Sequence, residues 1–387
     1  MNTHTRATGL AAAAARFPFL GPTTADHLLA LVRAELGHES ALDDFQPHGA
    51  HSAMALAPGT ILHIVSGNTP AAGLQSLIRG LLLGARNLCK IPSAGLPEIA
   101  AFRAALPDWL AERVEISAEL PDEWLARADA VIVFGGDETI AHFRARVRPG
   151  QIFIAHGHKL SAGFVFDDPG FASMPGAARD VAAFDQQGCL SPHAIYVRGD
   201  ARAYAARLAG EMEALSTREP RGPISLSEKI AIRAAREELA FRAANDGGAQ
   251  LWQSADSTAW TVAFDPAPGF PRSPLNRFIF IKPMPADPAS EFREVRAHLS
   301  CAGIWPAAPE HARPLAALGF SRICPLGRMQ SPPWTWHQDG QRTLAALVRW
   351  ADFEPKSGDG NSHAKAQRRK EAGDTQGKPV KYCSPAG

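Results

Sequence analysis

Residues 60–93 read TILHIVSGNTPAAGLQSLIRGLLLGARNLCKIPS, and this stretch decides the fold. TILHIVS is an apolar run rich in β-branched residues, the pattern of a buried strand. A Gly-Asn loop ends it. Pro70 then stands where a helix begins, because a first-turn proline sacrifices no intrahelical hydrogen bond. The apolar residues of PAAGLQSLIRGLLLGA recur at helical spacing, and NLCKIP returns as a short strand. Strand, helix and strand in this order predict a crossover unit with parallel strands.

The alternation continues on both sides. Downstream, PEIAAFRAALPDWLAERV (97–114) reads as one helix, DAVIVFGG (129–136) as a strand, DETIAHFRARV (137–147) as a helix and QIFIAH (151–156) as a strand. A parallel, doubly wound sheet follows. Beyond SAGFVFDD, the segments 201–215 and 225–244 are helical by apolar spacing, while AIYV, TAWTVAF and RFIFIKPM are strand-like. EFREVRAHLSCAG (291–303) reads as a helix ending at Gly303, and TLAALVRWADF (343–353) as the last helix. Upstream, residues 1–57 show one helical pattern, TADHLLALVRAEL. From Pro355 the chain is rich in Gly, Ser, Lys and Gln with few large apolar residues, a composition that predicts disorder.

The chain has 387 residues, 45% hydrophobic, enough for two cores. Its 40 basic and 39 acidic residues nearly cancel, so neither nucleic acid nor an acidic membrane is expected as a partner. No apolar run reaches the roughly 20 residues of a membrane span, and Arg16 breaks the early alanine run, so no signal peptide is expected. Five dispersed cysteines without a CxxC pair suit a reducing compartment, and the cytoplasm is the expected location.

Four stretches could carry chemistry. In FDQQGCLSPHAIYV (184–197), Cys189 lies on a polar, glycine-flanked loop at the mouth of a strand, with His193 close behind. A nucleophilic thiol needs this access, although a half-buried turn cysteine would look the same. In VSGNTPAAG, Asn68 could donate its amide to an oxyanion or merely form a turn. In VIVFGGDETI, a strand ending in Gly135–Gly136 ahead of a helix leaves backbone N–H groups for a phosphate, with Asp137 as an alternative cap. Lys90, at a strand end, could reach a ribose or a 2′-phosphate, or be solvated. His63, on an apolar strand, reads as a satisfied core histidine. No His spacing suits a metal, and none is expected.

The order of these blocks resembles the aldehyde dehydrogenase superfamily, and most closely its LuxC-type acyl-CoA reductases, the fatty acid reductase component of bacterial luminescence and relatives. The matching blocks are GNTPAAGLQSLIRGLLLGARNLCKIPS, VIVFGGDETI, FDQQGCLSPH and GRMQSPPWTWHQDGQRTLAALVRW, spanning about Thr60 to Asp352. The resemblance implies an α/β, aldehyde dehydrogenase-like fold: a nucleotide-binding domain over 58–156, a catalytic α/β domain over 157–325, and a segment over 326–354 returning to the first. Residues 1–57 precede these as a helical region, and 355–387 follow as a tail.

The same resemblance makes Cys189 the nucleophile and Asn68 the oxyanion donor, with His193 tuning the thiol. Ser66, Gly67, Lys90, Gly135, Gly136, Asp137 and Thr139 would line the cofactor. It implies NADPH, with NADH as the alternative, reduction of an acyl-CoA to an aldehyde, an acyl-protein synthetase or acyl carrier as a further partner, and a homo-oligomer. An acyltransferase or thioesterase using the same acyl-cysteine is the competing reading. The family at large carries a water-activating glutamate where AHGHKLSAG stands here, and His156 falls near that place.

Overall fold

The computed structural model describes residues 1–67, 70–246 and 248–355. Asn68 and the expected disordered segment beyond Pro355, with Cys383, lie outside the described residues. A five-stranded sheet runs in the order Val114–Ser117, Arg86–Lys90, Thr60–Ile64, Ala130–Phe134, Ile152–His156, with every neighbour parallel. Helix Pro70–Leu83 covers one face and buries Leu74, Leu77, Ile78, Leu81 and Leu82. On the other face, Leu62, Leu88, Val131 and Val133 pack with Trp124, Leu125 and Phe143. Both faces are therefore dry, which is why these strands read as unbroken apolar runs.

The single helix expected over 97–114 is two, Pro97–Ala105 and Asp108–Ala111. Pro107 offers no N–H and drives Leu106 out of the helical region, to ψ 150°. Val114 then starts a strand.

His63 is fully buried between Ser76 Oγ (2.8 Å) and Asn87 Oδ1 (2.9 Å). Asn87 Nδ2 donates to the Ala85 carbonyl, which fixes the amide and makes His63 Nε2 the donor. Burial lowers the imidazole from 6.5 to about 4, against the Asn87 bond. A depressed histidine stabilises the fold above its unfolded value, and that stability is lost as pH falls from about 6.5 toward 4. At pH 5 the loss is about 2 kcal/mol. His193 acts in the same sense, while Asp180, pushed up to about 6 by burial, acts in the opposite one. The check is thus a difference: the stability deficit of His63→Gln against the parent, from urea unfolding, should shrink by about 2 kcal/mol between pH 8 and pH 5. A deficit independent of pH would contradict it.

The second sheet has seven strands in the order Gln250–Gln253, Thr261–Phe264, Phe278–Pro283, Pro192–Val197, Leu160–Val165, Leu299–Trp305, Arg322–Pro325. Only the first pair is antiparallel. Here the helix expected over 291–303 is corrected. Pro288–Glu291 and a 3-10 turn, Arg293–His298, lead into the strand Leu299–Trp305. LSCAG holds small residues because it runs between two strands. A Cβ on Gly303 would come within 2.6 Å of Met329 Sδ.

The helix expected over 343–353 is likewise a turn and then a strand, Arg349–Phe353, paired antiparallel with His51–Leu56 beside Gln46–His48. Residues 1–57 hold two helices, Thr3–Ala14 and Ala25–Leu36, besides these strands. Glu35, buried near the end of Ala25–Leu36, accepts from the N–H groups of Thr343, Leu344 and Ala345 and from Thr343 Oγ1, at 2.6–2.9 Å.

Candidate active site

Cys189 occupies a turn immediately before Pro192–Val197 and is exposed. The approach to it is strained. Phe184, Asp185 and Gln186 carry φ of 52°, 51° and 65°, each costing about 1–2 kcal/mol for a non-glycine residue. The polar residues of the loop hold it there. Asp185 pairs with buried Arg277 (Nε to Oδ1, 2.8 Å) and accepts from Gly222 N. Gln186, fully buried, donates to the carbonyls of Pro192 and Phe278 and accepts from Phe278 N. Gln187 donates to Asn276 Oδ1. Beyond the cysteine, Gln330 donates to Ser191 Oγ at 2.8 Å. Ser161 Oγ donates to the Cys189 carbonyl (2.9 Å) and accepts from Cys301 N (3.1 Å). The glutamines are polar because they anchor a backbone that no ladder holds.

Cys189 opens onto a cleft of about 1,010 Å³ whose walls include Phe19, Leu20, Leu190, Ile323, Trp334 and Trp336. The residue presents surface to solvent, yet its sulfur is crowded by the cleft. That desolvation pushes the thiol up to about 12, and the Asp339 carboxylate adds to the effect. The Cys189 N–H and Lys159 oppose it. The residue thus borders solvent while the burial of its sulfur favours the thiol over the thiolate. Asp339, in turn, accepts from His156 Nδ1 at 2.7 Å, with Lys159 Nζ at 4.0 Å, and His156 stacks on Phe134. Removing the charge in Asp339→Asn should raise the iodoacetamide alkylation rate of Cys189 at pH 8 by about 3- to 10-fold. A slower reaction would show that the carboxylate does not act on the sulfur in this sense.

The other expected site residues fall in two groups. Ser66, Gly67, Lys90, Gly135, Gly136, Asp137 and Thr139 all follow or end strands at the carboxyl edge of the five-stranded sheet, where His156 also lies. This edge is where open α/β sheets take ligands. Gly136 is the N-cap of Asp137–Arg144 and brings no side-chain acceptor, so the first-turn N–H groups are left without a cap; Asp137 sits inside the helix rather than capping it. The Lys90 ammonium makes no ion pair among the described residues. His193 stands apart. It is buried, tilts against the Phe270 ring, and lies on the strand Pro192–Val197 of the second sheet rather than at that edge. The charges acting on the sulfur are those of Asp339 and Lys159. Asp339 and Lys159 escaped sequence reasoning because each is an ordinary surface-type residue until the chain returns to the sheet edge.

This architecture is that of the aldehyde dehydrogenases. A putative aldehyde dehydrogenase PutA from Anabaena variabilis superposes with a TM-score of 0.61 at 14% identity, over 92% of this chain and 89% of that one. An NADP-dependent glyceraldehyde-3-phosphate dehydrogenase from Bacillus halodurans, complexed with NADP, gives 0.61 at 14% identity over 91% and 86%. Within that fold the chain belongs to the acyl-CoA reductase (LuxC) family, which matches residues 6–350. It is similar to long-chain acyl-protein thioester reductase 2 of Photobacterium leiognathi, 26% identical over 349 residues, covering 84% of this chain and 70% of that protein. The long-chain acyl-protein thioester reductase of Aliivibrio fischeri is 25% identical over 352 residues, with the same shares. No helix among the described residues is long and apolar enough to cross a membrane.

Proposed function

We propose that the protein reduces a fatty acyl thioester to the aldehyde through an acyl group held on Cys189. The observation that carries this reading is Cys189 lining a large, largely apolar-walled cleft, next to the carboxyl edge of a doubly wound sheet. The apolar walls suit an alkyl chain.

Because the resting thiol is protonated, attack on the thioester carbonyl needs a base. His156, whose partner Asp339 acts on the Cys189 sulfur, is the group we assign to take that proton. The acyl group passes to sulfur and the donor thiol leaves. The oxyanion formed at each addition is met by the Cys189 N–H and by Asn68. One such donor is worth about 3–4 kcal/mol. By the resemblance, His156 falls near the place of a water-activating glutamate and no acid stands there, which favours passing the acyl group on over hydrolysis.

The edge residues fit a dinucleotide: uncapped N–H groups after Gly136, a Lys90 with no ion pair among the described residues, and the small Gly67 and Gly135 allowing close approach. Asp137 and Glu138 in the first turn repel phosphate, so Asp137 suits a ribose hydroxyl, while Lys90 favours NADPH over NADH. When bound, a reduced nicotinamide supplies the hydride. Collapse of the thiohemiacetal on Cys189 then releases the aldehyde.

The acyl donor is either acyl-CoA, as the family description says, or an acyl group on a partner protein, as the names of the relatives say. The test is aldehyde formation from acyl-CoAs of graded length and from an acylated carrier protein, each with NADPH and with NADH. Aldehyde formed with nicotinamide oxidation supports the reading. Free acid or acyl transfer without oxidation would make the protein a thioesterase or transferase instead.

A further inference from the structure

A second sulfur site lies on the same cleft. Leu299–Trp305 and Arg322–Pro325 run parallel, with Cys301 beside Arg322 and Gly303 beside Cys324. The two Sγ atoms are 3.8 Å apart. Buried Arg322 donates from Nη1 to Cys301 Sγ at 3.1 Å, and its other bonds go to the carbonyls of Met329 and Arg328. Cys301 is fully buried, whereas Cys324 is half-buried and lines the cleft beside Ile323. One thiol is thus accessible, and the other waits behind it. The hydrogen bond from Cys301 pulls the Cys324 thiol below its ordinary value, as do Arg322 and Arg328, against burial and the Asp180 carboxylate. Burial pushes Cys301 up. Of the two, the thiol that lines the cleft is thus the one whose proton is more easily lost.

We propose that Cys324 and Cys301 form a peroxide-reactive dithiol in the wall of the substrate cleft, with cleft-lining Cys324 as the attacking thiol and buried Cys301 as the resolving thiol. The expected oxidant class is an organic hydroperoxide, which the apolar walls admit. Cys324 sulfur attacks the terminal peroxide oxygen, the O–O bond breaks, and the alkoxide leaves and is protonated to the alcohol. Cys324 is thereby oxidised to the sulfenic acid. Cys301 sulfur then attacks Cys324, hydroxide departs with the Cys301 proton as water, and a disulfide joins the neighbouring strands. The sulfurs must close to about 2 Å for this.

The test uses the full-length Cys189→Ser variant, so the readout is thiol chemistry alone and is independent of turnover. The variant is treated with cumene hydroperoxide, denatured, alkylated with N-ethylmaleimide and mapped by mass spectrometry. The expected result is loss of two alkylatable thiols, a linked peptide pair containing Cys301 and Cys324, a mass about 2 Da lower, and reversal by dithiothreitol. Adding Cys324→Ser should abolish the linkage while leaving Cys301 alkylatable. Cys324→Ala serves if the serine variant does not fold. Full alkylation of Cys301 and Cys324 after peroxide, or a linkage that excludes Cys324, overturns the proposal.

Discussion

Cys189→Ala is expected to abolish covalent labelling by a radioactive acyl thioester and to lower aldehyde formation by roughly 10⁴-fold or more, the scale seen when a nucleophile is removed from an acyl-transferring site. The loss should be chemical rather than structural. The side chain is exposed and makes no hydrogen bond that the loop depends on; the loop is held by its carbonyl, through Ser161, and by Asp185, Gln186 and Gln187. Thermal unfolding of the variant should therefore match the parent closely, and nicotinamide binding followed by fluorescence should survive. Labelling that persists in Cys189→Ala would move the acyl group to another residue, and unimpaired turnover would end the covalent scheme.

The second large effect is on stability. Glu35→Ala should cost about 3–5 kcal/mol, measured by urea unfolding, because it leaves three backbone donors and one hydroxyl buried without their shared acceptor. A carboxylate near the C-terminal end of a helix is ill-placed for the helix dipole. Its presence at the end of Ala25–Leu36 makes sense only through the segment it grips, Thr343–Ala345, some 308 residues away. That segment follows Asp339 closely, so Glu35→Ala should also slow reduction while leaving Cys189 alkylatable. Glu35→Gln should restore part of the loss. A variant as stable as the parent would mean that water satisfies these groups at little cost.

The parallel, doubly wound sheet and the loop position of Cys189 are legible because they rest on local patterns. The strands of TILHIVS and DAVIVFGG are central and dry on both faces, that of NLCKIP is buried at its middle, QIFIAH at the edge is half-buried, and Pro70 marks a helix start. Three kinds of feature were not legible. LSCAG looks helical until its small residues are seen wedged between Leu160–Val165 and Arg322–Pro325. TLAALVRWADF has helical composition, but tertiary pairing with His51–Leu56 decides its state. The polar anchors connect residues distant in sequence: Gln186 meets Phe278 across 92 positions, and His156 meets Asp339 across 183. A window of a dozen residues contains no signal for such partners.

The cleft before Cys189 has one wall from Phe19 and Leu20 and another from Trp334, Trp336 and Gln338. Its two sides thus come from segments far apart in the sequence. While the ribosome is still adding residues beyond Cys189, the thiol has been synthesised but the apolar gorge before it has not. The growing chain therefore exposes a bare sulfur without a substrate site until Trp334–Gln338 have left the exit tunnel. A chain cut before Trp334 would therefore carry Cys189 without the aromatic side of its cleft.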